Sequence, residues 1–399
     1  MTDPKPHIAI LGSGPTGLEA ALAAAEAGFP FTIYEAAPEV AGNVRAWGHV
    51  RLFTPWEMNV SPRMRRHLAA GGVDAPDGPV CPTGDELVEK LLAPLAALPA
   101  IAPHLRLGTR VMAIGREGLL KHEEIATAER GRRPFRLLLA DATGCEWTEK
   151  AAIVIDATGT YGNPNSLGDG GIPAPGERAL AGAIRRTVPD LSREAVDWAG
   201  QTVLLAGAGH SAQTAARDLA ELARQAPGTR VIWALRNGDP SWGTHEGDPL
   251  PERARLATYA RALASGASPA VEAHRGVAVE ELSRPNGKVK VTLRNGSGAE
   301  DVEVDRVLSL TGYVGDAGLY RQLQVHECYA TCGPIKLSAA LLGAAGGDCL
   351  TQTSHGVDTL TNPEPGLYIL GIKSYGRNNT FLMSVGWDQV AEVFEALGG

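Results

Sequence analysis

The chain has 399 residues, 44% of them hydrophobic and 21% charged, with a formal net charge of -8, the make-up of an ordinary globular protein of two or three domains. Net acidity argues against a nucleic-acid partner, whose phosphates need a basic surface, and no run of 18 or more apolar residues is present to span a membrane. Five cysteines spread thinly through the chain do not form a secreted disulfide framework, and the opening MTDPKPHIAIL fits no signal peptide, so the expected location is cytoplasmic.

The first apolar run, Ile8–Leu11, predicts a buried parallel strand. Gly12, Gly14 and Gly17 follow at G-x-G-x-x-G spacing, enclosing Pro15 and Thr16. In that pattern the first glycine makes the tight turn, the second lets a pyrophosphate approach the backbone, and the third lets helix and strand pack closely. An alanine-rich helix over Leu18–Ala27 is expected to end at Gly28. A second strand, Phe31–Tyr34, runs into Glu35, placed where an acid holds the hydroxyls of an unphosphorylated ribose. Arg132–Trp147 reads as a hairpin-like addition. A third strand in Ala151–Pro164 enters a turn at Thr158 and Gly159 that should return the chain to the first sheet near the cofactor. Gly162–Gly176 reads as a crossover loop.

The unit then recurs. Val203–Ala206 predicts a strand, and Gly207, Gly209 and Ala212 give the permitted G-x-G-x-x-A variant, with His210 and Ser211 in the turn. A helix is expected over Ser211–Gln225, and a strand over Arg230–Leu235. That strand ends on Arg236 instead of an acid, and a guanidinium pairs with a 2′-phosphate that a carboxylate would repel. The acid suits FAD or NAD and the arginine NADPH over NADH; two sites of different ribose preference suggest two cofactors in series, NADPH at the second site giving hydride to FAD at the first. Val302–Asp316 predicts a strand entering a second Thr-Gly turn that brings the chain back, with Asp316 toward the cofactor. A last strand, a glycine-rich loop and a final helix follow. The fold class is α/β with two Rossmann-like domains: a discontinuous FAD domain (1–165 and 305–399) and an inserted NAD(P)H domain (166–304).

The motifs GSGPTG, DATG, GAGHSA and TGYVGD, in this order over nearly the whole chain, resemble those of the two-dinucleotide-binding-domain flavoproteins. Within that superfamily the chain is most similar to the flavin-containing (class B) monooxygenases, as an atypical member, with thioredoxin-reductase-like flavoproteins next. The resemblance implies an FAD- and NADPH-dependent oxidoreductase that oxygenates nitrogen or sulfur of a small metabolite through a C4a-(hydro)peroxyflavin, using molecular oxygen. It also implies that Ala41–Pro62 crosses the flavin ring and lines the substrate side, with His49 and Arg51 on that loop. The chain departs from the pattern at Pro55, where a polar residue is usual. Candidate catalytic residues are Asn59, Lys373, Arg377 and Asn378, and Tyr375 joins the cofactor set. Lys373 or Arg377 would face negative charge on reduced flavin. His245 falls in a long loop expected to cap the site. The alternative is an NAD(P)H-dependent thiol/disulfide oxidoreductase using Cys328 and Cys332, which would share a face if helical. No metal-ligand spacing is present, and a homodimer is common among relatives.

Overall fold

The computed structural model describes residues 4–243, 250–343 and 354–398; His245 and Cys349 lie outside them. The chain divides into two compact units, one running through Asn163 and resuming at Val314, the other spanning Pro164–Tyr313.

In the first unit, β1 (Ile8–Leu11) is buried at every residue and feeds the glycine turn into α1 (Pro15–Glu26). Proline at the start of α1 presets φ where no intrahelical donor is needed. The helix ends in a Schellman closure. Phe29 N–H bonds Ala24 O at 2.9 Å, Gly28 N–H bonds Ala25 O at 3.1 Å, and Gly28 takes φ +68°, which glycine adopts without steric cost. β2 (Phe31–Tyr34) follows, then α2 (Pro62–Ala70), started by Ser61 accepting from Met64 N–H. The strands β3 (Leu105–Arg106), β4 (Thr109–Arg116), β5 (Phe135–Asp141) and β6 (Glu146–Ala151) come next, with the short helix α3 (Ala128–Arg132) between β4 and β5. The expected hairpin is thus two strands of a three-stranded antiparallel sheet, β4-β5-β6. β7 (Ile153–Asp156), buried throughout, returns to pair with β1.

The second unit contains β8 (Ile184–Arg185), β9 (Thr202–Ala206), α4 (His210–Gln225), β10 (Arg230–Leu235), α5 (Pro251–Leu263) and β11 (Val271–Arg275). An antiparallel sheet of β12 (Ala278–Ser283), β13 (Val289–Asn295) and β14 (Gly298–Val304) precedes β15 (Arg306–Ser309). The parallel sheet has the order β11-β10-β9-β15-β8. This corrects the expected limits of 166 and 304. β15 pairs with β9 from Arg306↔Val203 to Ser309↔Ala206, so 306–313 belongs to the second unit. The chain re-enters the first where Val314 N–H bonds Asn163 O at 3.1 Å.

Back in the first unit, β16 (Leu367–Ile369) pairs with β7, and α6 (Met383–Ala396) closes the chain. Its parallel sheet runs β16-β7-β1-β2-β3. The alanines at 20, 21, 23 and 24 of α1 are buried, so α6 packs close to it through Val390, Val393 and Phe394. Phe394 meets Phe29 edge-on at 6.1 Å. Each fully buried Val or Leu in this layer contributes about 1.5–3 kcal/mol. Among the described residues no helix is long and apolar enough to cross a membrane, and no three His, Cys, Asp or Glu side chains gather to hold a metal.

A charged cluster ties the antiparallel sheet to the approach to β16. The Glu364 carboxylate accepts from Arg116 Nε at 2.6 Å, Arg130 Nη2 at 2.8 Å and Gln324 N–H at 2.8 Å. All three charged side chains are buried. The remaining guanidinium donors reach the carbonyls of Arg133, Pro365, Leu120 and Glu123. Burial pushes the Glu364 carboxyl up, but its bonds from Arg130, Arg116 and Gln324 outweigh this and hold it below the usual range. A carboxylate depressed in this way stabilises the fold above its unfolded pKa, near 4.3, and that contribution fades as pH falls through the lower folded value. Urea unfolding at pH 7 is expected to show Glu364→Gln destabilised by about 3–5 kcal/mol, the cost of leaving buried charge uncompensated. The gap between wild type and variant should narrow below pH 4; a constant gap would refute the assignment.

Candidate functional site

Both glycine turns are built alike. A Cβ on Gly12 (φ +95°) would lie 2.7 Å from Ala157 O, and one on Gly17 would lie 2.0 Å from Gly12 O. These two positions let strand, turn and helix touch. A Cβ on Gly14, by contrast, would meet nothing within 4 Å. It faces open space at the start of α1, whose first turn has neither a capping side chain nor an acid. Uncapped N–H groups and the positive end of the helix dipole make that space an anion site. Pro15 begins the helix. Thr16 turns its hydroxyl away, toward Gly371 and Gly386, where a Cβ would lie 2.8 and 3.0 Å from Oγ1. Only its backbone is left for a ligand.

In the second unit a Cβ on Gly207 (φ +123°) would lie 2.2 Å from Leu310 O, whereas Gly209 again faces open space. α4 starts at His210 without a capping side chain or an acid in its first turn. Ser211 is exposed there, and Ala212 is buried at the close-packing position. Two residues that sequence reasoning passed over brace this turn. Gln213 Nε2 donates to Ala208 O at 2.8 Å and Trp242 O at 3.0 Å, and Trp233 Nε1 donates to Gly207 O at 2.8 Å. Arg236 is exposed at the end of β10.

Glu35 ends β2 as its spacing requires, and it also organises the first turn. Its Oε2 accepts from Ser13 N–H at 2.9 Å and Ser13 Oγ at 2.7 Å, and its Oε1 accepts from Ala37 N–H at 2.9 Å. Oε1 keeps a lone pair for a ribose hydroxyl. Ser13 went unnoticed because its role depends on a carboxylate 22 residues away.

A buried ion pair holds the Thr158-Gly159 turn. Asp156 ends β7 with its carboxylate fully buried. Oδ1 accepts from Thr158 N–H (3.1 Å) and Oγ1 (2.7 Å), and Oδ2 accepts from Lys373 Nζ at 2.6 Å. Lys373 Nζ also reaches Thr158 Oγ1 at 3.1 Å and lies 5.1 Å from the Tyr320 ring centroid. Lys373 is only 1% exposed. It joins two segments 217 residues apart and is not the open donor that was expected.

The other nominated residues divide into engaged and open ones. Asn59, buried at 1%, folds back on Thr54, accepting from its hydroxyl at 2.7 Å and donating to its carbonyl at 2.9 Å. Asn378 accepts from Thr380 N–H and Oγ1 in a local turn. Arg377 is exposed and donates to Cys332 Sγ at 3.3 Å. Asp316 is exposed and accepts from Gly318 N–H at 2.8 Å, starting a short helical turn. Tyr375 is fully buried in the core against Phe381, its hydroxyl unpartnered among the described residues, and burial pushes that phenol up to about 12. In the loop 41–62, Arg51 reaches the carbonyl of Cys81. The buried Trp47 Nε1 and His49 Nε2 have no protein partner among the described residues. The loop is anchored at its end by Ser61, which donates to the buried Glu19 at 2.6 Å. An open groove of about 970 Å³ on the outer side of α2, lined by Glu57, Arg65, Trp387 and Asp388 among others, includes none of the nucleotide-site residues.

Comparison with known proteins matches residues 10–63 to a family described as an NAD(P)-binding Rossmann-like domain. No curated protein sequence matches the chain. Among solved structures, the bacillithiol disulfide reductase of Bacillus cereus superposes with a TM-score of 0.70 at 18% identity, over 98% of each chain. The thioredoxin reductase of T. acidophilum gives 0.61 at 16% over 100% of each, and the ornithine N-hydroxylase of Kutzneria sp. 744 gives 0.60 at 16% over 99% of each. These are likenesses of fold. The chain shares with them an α/β fold that carries two Rossmann-like units.

The buried pair gives a direct expectation. Lys373→Met should cost about 3–5 kcal/mol in denaturant unfolding, because it strands the Asp156 carboxylate. The double variant Asp156→Asn/Lys373→Met should recover more than half of that loss; strict additivity of the two changes would dismiss the coupling.

Proposed function

We propose that this protein is an NADPH-dependent FAD oxidoreductase. The observation carrying the proposal is the duplicated turn: each has its second glycine open at an uncapped helix start, one unit with a carboxylate at the ribose position and the other with an exposed arginine. The first unit fits FAD. The start of α1 would take the pyrophosphate, Glu35 Oε1 the ribose, and the unpartnered Trp47 Nε1 and His49 Nε2 polar groups of the ligand or substrate. The second fits NADPH, with α4 taking the pyrophosphate and Arg236 the 2′-phosphate. A bound flavin would supply two-electron chemistry that side chains lack.

For the acceptor of those electrons we favour dioxygen, with oxygen transfer to nitrogen or sulfur of a small metabolite. Because Asn59, Lys373 and Asn378 are engaged within the protein, the donors for that chemistry are Trp47 and His49. A disulfide acceptor is the second reading. The turn carrying Cys328 and Cys332 packs on the segment after β16, where a Cβ on Gly333 would lie 2.8 Å from Ser374 O.

The purified protein should carry about one FAD per chain, and Gly14→Val should abolish it while leaving the fold intact by circular dichroism. Arg236→Ala should raise the KM for NADPH roughly tenfold, the value of one charge-assisted contact, and leave the KM for NADH unchanged. An equal effect on both cofactors would refute the 2′-phosphate role. Anaerobic titration with NADPH discriminates the acceptors: two electrons per flavin support dioxygen, and four require a second redox centre.

A further inference from the structure

Two cysteines of the first unit take no part in the nucleotide turns. Cys332 N–H donates to Cys328 O at 2.7 Å, closing a single five-residue turn that does not continue as a helix. A turn with this closure sets its end Cα atoms about 6 Å apart, the rise of four helical residues, inside the span of roughly 4.4–6.8 Å that a disulfide bridges. Both thiols are free. Cys332 takes φ +59°, a left-handed conformation that side chains other than glycine's rarely adopt. The turn is pinned from the segment after β16. Arg377 N–H bonds Thr331 O at 2.6 Å, and Gly376 is packed so tightly that a Cβ would lie 2.0 Å from that same oxygen.

The two sulfurs have unlike surroundings. Cys328 is buried. The Thr331 N–H above all, then the Thr331 hydroxyl, Ala330 N–H and the Ser338 hydroxyl, hold its thiol below the ordinary range against the opposing effect of burial. Cys332 is half-buried, and its Sγ accepts from Arg377 Nε at 3.3 Å. Tyr329 between them is 97% exposed, so the turn is open to a small reagent. Such a pairing, an accessible sulfur beside a cation and a buried one held by N–H donors, divides the roles of attacking and resolving thiol.

We propose that Cys328 and Cys332 form a dithiol–disulfide site that exchanges with a low-molecular-weight disulfide. The Cys332 thiolate attacks one sulfur of the disulfide RSSR; its S–S bond breaks, one RS⁻ leaves and takes up a proton, and a mixed disulfide remains on Cys332. The Cys328 thiolate then attacks the Cys332 sulfur and expels the second RS⁻. Two protein thiols lose two electrons, and RSSR is reduced to two RSH. Two RSH molecules carry the reverse reaction. Arg377 acts as a positioning residue that holds the attacking sulfur. The proposal rests on the second reading of this cysteine pair and names its substrate class, and the site's existence does not depend on which acceptor the flavin serves.

The test equilibrates the purified holoprotein without oxygen across ratios of reduced to oxidised glutathione, traps remaining thiols by alkylation, and maps tryptic peptides by mass. Residues 322–336 form one tryptic peptide that contains both cysteines and no others. At oxidising ratios it should appear unalkylated and two hydrogens lighter, and at reducing ratios doubly alkylated. Cys328→Ser should leave glutathione standing on Cys332, and Cys332→Ser should leave Cys328 without a stable adduct. Arg377→Ala should slow closure roughly tenfold, on the scale of one charge-assisted hydrogen bond, with Arg377→Lys partly restoring it. Double alkylation at every ratio, or bridging of either cysteine to Cys81, Cys145 or Cys349, would overturn the proposal. Failure of the flavin reading would show separately, as absence of FAD from a protein whose disulfide still closes.

Discussion

A buried ion pair at the carboxyl edge of the first sheet is the constraint on which the rest of that unit depends. Asp156 and Lys373 meet at 2.6 Å where two parallel strands end side by side, β7 and β16. Either charge alone in that position would carry a desolvation cost that its surroundings do not repay. Together, with Thr158 completing the hydrogen bonds, they fix the 156–159 turn against the 371–375 segment. Ligand positions in open parallel sheets lie beyond such strand ends, so the pair shapes the site without facing a ligand as a free charge.

The same segment is held from its other side by neutral groups. Gly371 N–H donates to Gln389 Oε1 at 2.8 Å, Gln389 Nε2 donates to Ser374 Oγ at 3.0 Å, and Ser374 Oγ donates to Gly371 O at 2.7 Å. This closed ring is fully buried. It attaches the loop after β16 to α6, which in turn packs on α1. The glycine turn, the Thr158 turn and the last loop are thereby referred to one rigid layer, the arrangement a precisely positioned ligand requires. Farther out, the Arg116–Glu364–Arg130 cluster does the same for the antiparallel sheet. It adds buried charge to segments that also share an apolar cluster through Ile114, Phe135, Leu323 and Leu367, and every guanidinium donor that it uses has a partner.

Conflicting demands on single residues explain where sequence reading went astray. Glu35 reads as a ribose acid from its spacing alone; in the fold its carboxylate is the acceptor that closes the Ser13 turn. Lys373 and Asn59 read as polar donors for the site, but the fold buries both and satisfies them internally, Lys373 on Asp156 and Asn59 on Thr54. Cys328 and Cys332 have helical spacing, but a tight contact at Gly376 and the left-handed backbone of Cys332 make the segment a turn. The strand at Arg306–Ser309 looks the same from sequence whether it closes one sheet or the other, because a buried apolar run does not identify its neighbour.

The sequence by itself determined the two glycine turns, the strands and helices around them, the α/β class and the difference between Glu35 and Arg236. All of these are local: they follow from which residues tolerate a left-handed turn, from apolar periodicity, and from the charge standing at a strand end. Only the tertiary structure decided which sheet received β15, that Lys373 is spent on Asp156, that Glu364 gathers two arginines, and that two cysteines meet in a turn seated on the loop after β16. Those outcomes join residues as much as 248 positions apart. They depend on desolvation and packing that exist only once the chain has folded, so no local pattern can announce them.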